Sequence, residues 1–138
     1  LLTHCGVLAI QLPLFYEMKI GKALKEISNR EKWKEDLGHC SQIFTFHDYR
    51  FYFDALSNFF NTIKLWETDY YHVLDTHQSI LDFITGAGLR PYLDKLDDEN
   101  RQHEFLKEVL QEIKIGYASQ NNGKVIFPFK RLFMIAQK

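Results

Sequence analysis

The sequence predicts an α/β fold in which three strands alternate with groups of helices. Three segments are rich in aliphatic, β-branched and aromatic residues, as strands are: residues 6–13 (GVLAIQLP), 62–74 (TIKLWETDYYHVL) and 124–136 (KVIFPFKRLFMIA). The segments between them place apolar residues at intervals of three and four, which is typical of helices that pack against a sheet. At 138 residues, the chain is long enough for one domain with a hydrophobic core.

The first predicted strand is almost continuously apolar, with Gln11 as its single polar residue. Such a run is typical of a strand that is buried on both faces in the interior of a sheet. When an interior strand begins a chain, one of its edges is unpaired and can template association with another chain. We therefore expect a homo-oligomer that forms through residues 6–12, by strand pairing or swapping.

Two helices are predicted between the first and second strands. Residues 17–28 place Ile, Ala and Leu side chains at helical spacing. A second helix is predicted over residues 45–60, where Thr45 and Asp48 resemble an N-terminal capping pair. Its apolar stripe consists of Tyr49, Tyr52, Phe53, Leu56 and Phe60.

Three further helices are predicted between the second and third strands. The first covers residues 77–85 and is capped by Asp75 or Thr76. The second begins near Pro91, since proline is well tolerated in the first turn of a helix. The third runs from about residue 98 to 117, with apolar side chains every fourth residue from Phe105.

Two aromatic residues and one proline in the later strands carry specific expectations. Trp66 and Phe133 are large and apolar, so we expect both in the core. Pro128 has no backbone N–H to donate to a neighbouring strand. The last strand is therefore predicted to have a bulge or an edge position at Pro128.

Composition excludes several classes of partner. The formal net charge is −1 and basic residues form no cluster, so we expect no nucleic-acid partner. No apolar run approaches the roughly 20 residues that cross a bilayer, so we expect no membrane contact. Two cysteines and no secretory leader predict a cytoplasmic location. The pairs His4-Cys5 and His39-Cys40 predict no metal site, because neighbouring side chains on a strand point to opposite faces.

Four segments resemble the C-terminal half of trans-aconitate methyltransferases, which are S-adenosylmethionine-dependent carboxyl O-methyltransferases of the Rossmann-like class. The segments are residues 1–13 (LLTHCGVLAIQLP), 65–74 (LWETDYYHVL), 84–93 (ITGAGLRPYL) and 125–138 (VIFPFKRLFMIAQK). They occur in the family's order and with compatible spacing, so the resemblance covers nearly the whole chain. The chain is therefore identified as resembling the C-terminal part of such an enzyme.

The resemblance implies a fold that is incomplete. Residues 6–13 correspond to the fifth strand of a seven-stranded sheet, so residues 1–138 are expected to be a single fragment of one methyltransferase domain. It has the last three strands of a Rossmann-like sheet, of which the C-terminal strand is antiparallel. Segments of about 14–40 and 75–118 form a helical cap. The N-terminal half that binds S-adenosylmethionine is expected to be absent.

The resemblance also implies an activity that the isolated chain is not expected to have. The family methylates a small carboxylate or polycarboxylate acceptor such as trans-aconitate, with S-adenosylmethionine as donor. No G-x-G-x-x-G motif follows a strand in this sequence, so we expect no cofactor-binding residues, and the chain alone is predicted to be inactive. No catalytic residue is predicted either, because an ionised carboxylate needs orientation and exclusion of water rather than a base.

Five residues in the resembling segments are predicted to bind the acceptor: Tyr70, Tyr71, His72, Arg90 and Arg131. Arginine can hold a carboxylate through two parallel hydrogen bonds, and hydroxyl groups add further donors. Other roles compete with this prediction. Arg90 fits a surface or helix-capping residue equally well, Tyr71 and His72 fit packing between strand and cap, and a salt bridge is favoured for Arg131.

Departures from the family pattern leave the acceptor and the function open. In the family, a polar loop that contains asparagine follows the fifth strand, and a Ser/Thr-His pair comes later. The corresponding positions here are Phe15 and Ile20-Gly21, which puts specificity for trans-aconitate in doubt. The alternative function is a non-catalytic, stand-alone α/β module that oligomerises or binds a ligand.

Overall fold

A computed structural model describes residues 6–42 and 46–138. In this part of the chain the strands are β1 (Val7–Pro13), β2 (Thr62–Leu74) and β3 (Val125–Gln137). The α-helices are α1 (Lys19–Ser28), α2 (Lys34–Leu37), α3 (Tyr49–Ser57), α4 (His77–Thr85), α5 (Arg90–Leu93) and α6 (Glu99–Gly116). Short 3₁₀ helices cover Phe15–Glu17 and Cys40–Gln42. The predicted features that involve Thr45 and the His4-Cys5 pair lie outside the described residues.

The three strands form an open sheet in the order β1-β3-β2. The last strand is antiparallel to both neighbours, with Val7 and Thr62 opposite Gln137 at one end and Leu74 opposite Val125 at the other. Since β1 and β2 both run against β3, they are parallel to each other. The predicted α/β class is confirmed, and so is the antiparallel C-terminal strand of an incomplete Rossmann-like sheet.

The first strand is not buried on both faces, contrary to the prediction. In the described residues β1 pairs with β3 along one edge only. Val7 and Ile10 are exposed by 54% and 36%. Only the C-terminal end of this strand is partly covered, where Leu12 packs with side chains of α3.

The sheet has a separate apolar cluster on each face, because alternate residues of β3 point in opposite directions. Val125, Phe127 and Phe129 are buried in the larger cluster, which includes the apolar faces of α1, α4 and α6. Leu132 and Met134 are buried on the other face in a smaller cluster that includes side chains of α3. Each helix group therefore covers one end of one face only.

The large cluster joins the helices from both segments between strands. The backbone N–H of Ile20 donates to the Tyr117 hydroxyl at 3.2 Å, and Lys19 Nζ donates to the Gly116 carbonyl at 2.9 Å. Arg30 also forms an ion pair with Glu108 at 2.9 Å. These contacts hold the start of α1 and the loop after it against α6.

Side-chain caps begin three of the helices. The Thr76 hydroxyl accepts from the backbone N–H of Ser79, as predicted for the start of α4. Asp48 caps α3 in the same way, and Asp98 caps α6. The apolar stripe predicted for α3 is wrong in part, because Tyr49 and Phe53 are exposed by 50% and 47%. No helix in the described ranges is long and apolar enough to cross a membrane.

Trp66 and Phe133 do not lie in the core, contrary to the prediction. Their rings stack 5.2 Å apart, and Trp66 is 43% exposed. Both residues lie on the sheet face that carries Phe127 and Phe129, but beyond the helices that cover that face. Their exposure follows from the incomplete coverage of the sheet.

Pro128 lies in the central strand, and the pairing of β2 with β3 continues past it without a bulge. Of the two predicted alternatives, the bulge is therefore wrong, whereas β3 is locally an edge at Pro128, because its pairing with β1 ends at Arg131. Two residues later, Lys130 donates its N–H to Met18 Sδ and accepts from the Leu14 N–H. Backbone groups two residues apart point to the same side of a strand. The backbone nitrogen of Pro128 therefore faces away from β2, towards the side where β1 has already ended. The absence of an N–H at this position removes no hydrogen bond between strands.

Candidate functional site

The candidate site is an apolar cavity of about 290 Å³ on the face of the sheet that carries Phe129. It lies between the end of β1, the C-terminal part of α4 and the middle of β3. The residues that line it are Pro13, Phe15, Phe46, Phe83, Ile84, Ala87, Gly88 and Phe129. No lining side chain carries a charge or a hydrogen-bond donor, so the cavity favours an apolar occupant.

Local sequence features explain how the cavity walls come together. Pro13 ends β1, and the chain turns at once into a 3₁₀ helix that buries Phe15. Gly88 lies against the Phe15 ring, since a Cβ atom at position 88 would stand 2.9 Å from Phe15 Cζ. The absence of a side chain at Gly88 allows the connection between α4 and α5 to approach the aromatic wall.

Arg131 provides the charge beside this cavity. Its Nη1 donates to Gln11 Oε1 at 2.9 Å. The guanidinium carbon lies 5.0 Å from the centre of the Phe129 ring and 5.7 Å from that of Tyr70. The predicted salt bridge is wrong: within the described residues, no carboxylate lies within ion-pair distance of Arg131. The guanidinium is therefore positioned by a neutral amide and aromatic rings, and its charge is not neutralised.

Two of the other predicted residues lie on the same face as Arg131. Tyr70 pairs with Phe129 across the sheet, and His72 pairs with Phe127. The His72 ring lies 5.1 Å from the Phe83 ring and 6.3 Å from the Tyr70 ring. The structure therefore brings Arg131, Tyr70 and His72 together on one face of the sheet. They lie next to Phe129 and Phe83 of the cavity wall, but none of the three lines the cavity itself.

The remaining two predicted residues lie elsewhere. Tyr71 is on the opposite face of the sheet and is 67% exposed. Arg90 begins α5, its side chain is exposed, and it pairs with Asp94 at 3.7 Å. Unlike Arg131 and His72, neither residue contacts an aromatic residue of the cavity wall in the described part of the chain. This placement matches the surface role that competed for Arg90, and it separates Tyr71 from Tyr70, His72 and Arg131.

Sequence reasoning missed the residues that form the wall and the partner of Arg131. The sequence shows Gln11 only as a polar break in an apolar strand, yet its side chain accepts a hydrogen bond from the guanidinium. The sequence predicts only a helix around Phe83, yet its ring contacts both His72 and Phe129. The signal for Gln11 was its isolation among apolar residues, whereas nothing local distinguishes Phe83 from a core residue.

A second hollow, a groove of about 370 Å³, lies on the opposite face of the sheet near Pro128. Lys130 lines it, but Lys130 pairs with Glu67 at 2.7 Å and with Glu17 at 3.3 Å. These carboxylates raise the pKa of Lys130, chiefly through the hydrogen bond with Glu67. Its charge is thus already neutralised, and the groove offers an anionic ligand less than Arg131 does.

Comparison with known proteins finds enzymes named trans-aconitate 2-methyltransferase. The chain is 33% identical over 138 residues to the trans-aconitate 2-methyltransferase of Escherichia coli O1:K1 / APEC. The aligned region covers 100% of the chain and 52% of that enzyme. The chain is 32% identical over 134 residues to that of Rhodopseudomonas palustris (strain BisA53), covering 96% of the chain and 52% of the enzyme. The chain thus spans about half the length of the curated relatives it matches. No protein-family model matches it. The resemblance predicted from the sequence is confirmed, and the extent of the match agrees with a part of such an enzyme.

Proposed function

Since the chain is similar along its whole length to about half of trans-aconitate 2-methyltransferases, we propose that it is the acceptor-binding part of a carboxyl O-methyltransferase. The observation that carries this proposal is the unneutralised Arg131 guanidinium beside an apolar cavity. A carboxylate is the ligand that an arginine in this position binds best, through two parallel hydrogen bonds.

The proposed reaction requires the acceptor carboxylate to be positioned, but it requires no general base. Carboxylic acids of this kind have a pKa of about 4, so the acceptor is ionised at neutral pH. Arg131 would hold the carboxylate, and the hydroxyl of Tyr70, whose ring centre lies 5.7 Å from the guanidinium carbon, is a further donor on the same face. The aromatic wall excludes water from the bound acid. The attacking carboxylate oxygen is therefore less solvated, and it is held in a fixed orientation.

The methyl donor in this proposal is S-adenosylmethionine, which supplies an electrophilic methyl group when it is bound. The described residues do not fit a donor site. Gly123 is the glycine with a positive φ there, of 80°, and it lies in the turn before β3, where an added Cβ atom would meet nothing within 4 Å. We therefore propose that donor binding belongs to a part of the enzyme other than residues 1–138. The chain alone is proposed to be inactive.

The two helical segments are proposed to act as the cap over the acceptor. Helices lie within residues 14–40 and 75–118, and α1, α4 and α6 pack in one cluster on the face that holds the cavity. Phe15 from the first segment and Phe83 from the second both line the cavity. This shared lining supports a single cap and a single domain over residues 1–138.

Self-association through β1 is proposed as a further property of the chain. Residues 6–12 form an edge that has no partner on one side among the described residues, and Val7 and Ile10 are exposed. Pairing of two β1 edges would satisfy the free backbone groups and cover these side chains.

A cytoplasmic location also remains a proposal, which the free and buried Cys40 thiol supports.

The acceptor-binding proposal is tested by calorimetric titration of the 138-residue chain with a panel of mono- and polycarboxylates. The test compares the wild type with Arg131→Gln and with Arg90→Gln, an exposed arginine that pairs with Asp94 away from the cavity wall. We expect at least one acid to bind, Arg131→Gln to weaken it at least tenfold, and Arg90→Gln to leave it unchanged. If Arg131→Gln binds every acid as the wild type does, the proposal is wrong.

The donor assignment has its own test, a titration of the same chain with S-adenosylmethionine. We expect no saturable heat, and no methyl transfer to any acid of the panel. Tight binding with one donor per chain would contradict the assignment. It would instead place a donor site among residues 1–138.

A further inference from the structure

We propose that the acceptor is a compact apolar monocarboxylate, in which one carboxylate is joined to an aromatic or branched aliphatic body. This inference rests on the proposed function and specifies its substrate class. It differs from the tricarboxylate that the names of the relatives specify. It follows from the wall of the cavity, its size and the number of cations beside it.

The wall offers nothing to a second or third carboxylate. Seven of the eight lining residues have side chains made only of carbon and hydrogen, and the eighth, Gly88, has no side chain. An ionised carboxylate that moves from water to such a wall without a hydrogen-bonding partner loses its hydration. The free-energy cost of this desolvation is several times larger than the net gain from one hydrogen bond. A ring or branched chain is favoured by the same wall, and it can pack edge-on against Phe83 or Phe129.

The size of the cavity sets the size of the apolar body. Its volume is about 290 Å³. An apolar cavity of about 150 Å³ binds benzene in a well-studied case. The space here therefore accepts a ring with a short linker that reaches Arg131, and it leaves no room for a long acyl chain within the walls.

The charge next to the cavity wall matches one carboxylate, since Lys64, on the same face, pairs with Ile135 four residues further along β3 than Arg131. Arg131 is partly buried, its amide partner Gln11 is neutral, and no described carboxylate competes for it. The next candidates are engaged elsewhere: Arg90 pairs with Asp94, and Lys130 pairs with Glu67 on the opposite face. A tricarboxylate would thus have one of its charges neutralised and the others facing the aromatic wall.

The test uses 3-phenylpropanoate, its uncharged amide and trans-aconitate as probes in calorimetric titrations of the full 138-residue chain. We expect 3-phenylpropanoate to bind at least tenfold more tightly than either of the other two. Arg131→Gln should remove the preference for the acid over the amide, whereas Arg90→Gln should keep it. Ala87→Trp places a ring into the cavity from an exposed position, so it should weaken 3-phenylpropanoate at least tenfold without lowering the melting temperature.

The outcomes separate this inference from the proposed function. Tighter binding of trans-aconitate that depends on Arg131 overturns the monocarboxylate inference and leaves the proposed function standing. Binding of 3-phenylpropanoate that Ala87→Trp does not weaken overturns the inference, because the acid then lies outside the cavity. If no acid binds, or if Arg131→Gln has no effect on any of them, both proposals are overturned.

Discussion

Replacement of Phe127 by alanine should unfold the structure around the site more than any surface change can. Phe127 is fully buried in β3. Its ring centre lies 5.4 Å from that of Tyr117 and 5.7 Å from that of Phe83, so it joins the sheet to α4 and to the end of α6. It therefore supports one wall of the cavity as well as the core.

The size of the effect follows from this burial. A buried Phe→Ala substitution costs about 3–5 kcal/mol through lost transfer free energy and the cavity left behind. Edge-on aromatic pairs of this kind add roughly 0.5–1.5 kcal/mol each. We expect the upper part of that range for Phe127→Ala, which is a large fraction of the roughly 5–15 kcal/mol that stabilises a domain.

The assay is urea unfolding followed by circular dichroism, with the midpoint and slope fitted to the free energy of unfolding. Phe59→Ala is the matched control, because Phe59 is 71% exposed and should change stability by less than about 0.5 kcal/mol. Phe127→Leu keeps most of the volume and provides a measurable value if the alanine variant does not fold. A loss below about 1 kcal/mol for Phe127→Ala would refute the packing described here.

Three further substitutions test other parts of the structure. Ile10→Lys places a charge on the exposed edge strand β1 and should shift an oligomer to monomer in sedimentation velocity. The control Val73→Lys, at an exposed position of β2, should not change the oligomeric state. Equal effects of the two substitutions would contradict association through β1. Gly88→Ala should cost about 1–3 kcal/mol, because its Cβ meets a buried ring at 2.9 Å, whereas Gly86→Ala meets nothing within 4 Å and should be neutral in the same urea assay. Burial raises the pKa of Tyr92, so the unfolded chain loses that proton first and stability falls as the pH rises above about 10. Tyr92→Phe should make this fall shallower in urea titrations between about pH 9 and 11, and an unchanged slope would contradict the burial.

The order and type of the elements could be predicted because they depend on local periodicity and end signals. The caps at Thr76 and Asp98 and the position of Pro91 are readable within a few residues of sequence. Exposure could not be predicted in the same way. Trp66 and Phe133 are as apolar as core residues, but their burial depends on which distant segments cover their end of the sheet.

The site was predictable in part. Strand alternation places Tyr70 and His72 on one face and Tyr71 on the other, so their separation was implicit in the sequence. The joining of Arg131 to Gln11 was not, since these residues lie 120 positions apart and meet only through the pairing of β1 with β3. The aromatic wall is likewise assembled from segments that no local pattern links.

The most direct test of a carboxylate site beside this cavity is the position of a bound acid, measured by intermolecular nuclear Overhauser effects in the full chain. With 3-phenylpropanoate, we predict contacts from its ring protons to Phe83 and Ala87, and from the methylene next to its carboxylate to Arg131. Contacts to Tyr71 or to other residues of the opposite face, with none to the cavity wall, would contradict the account.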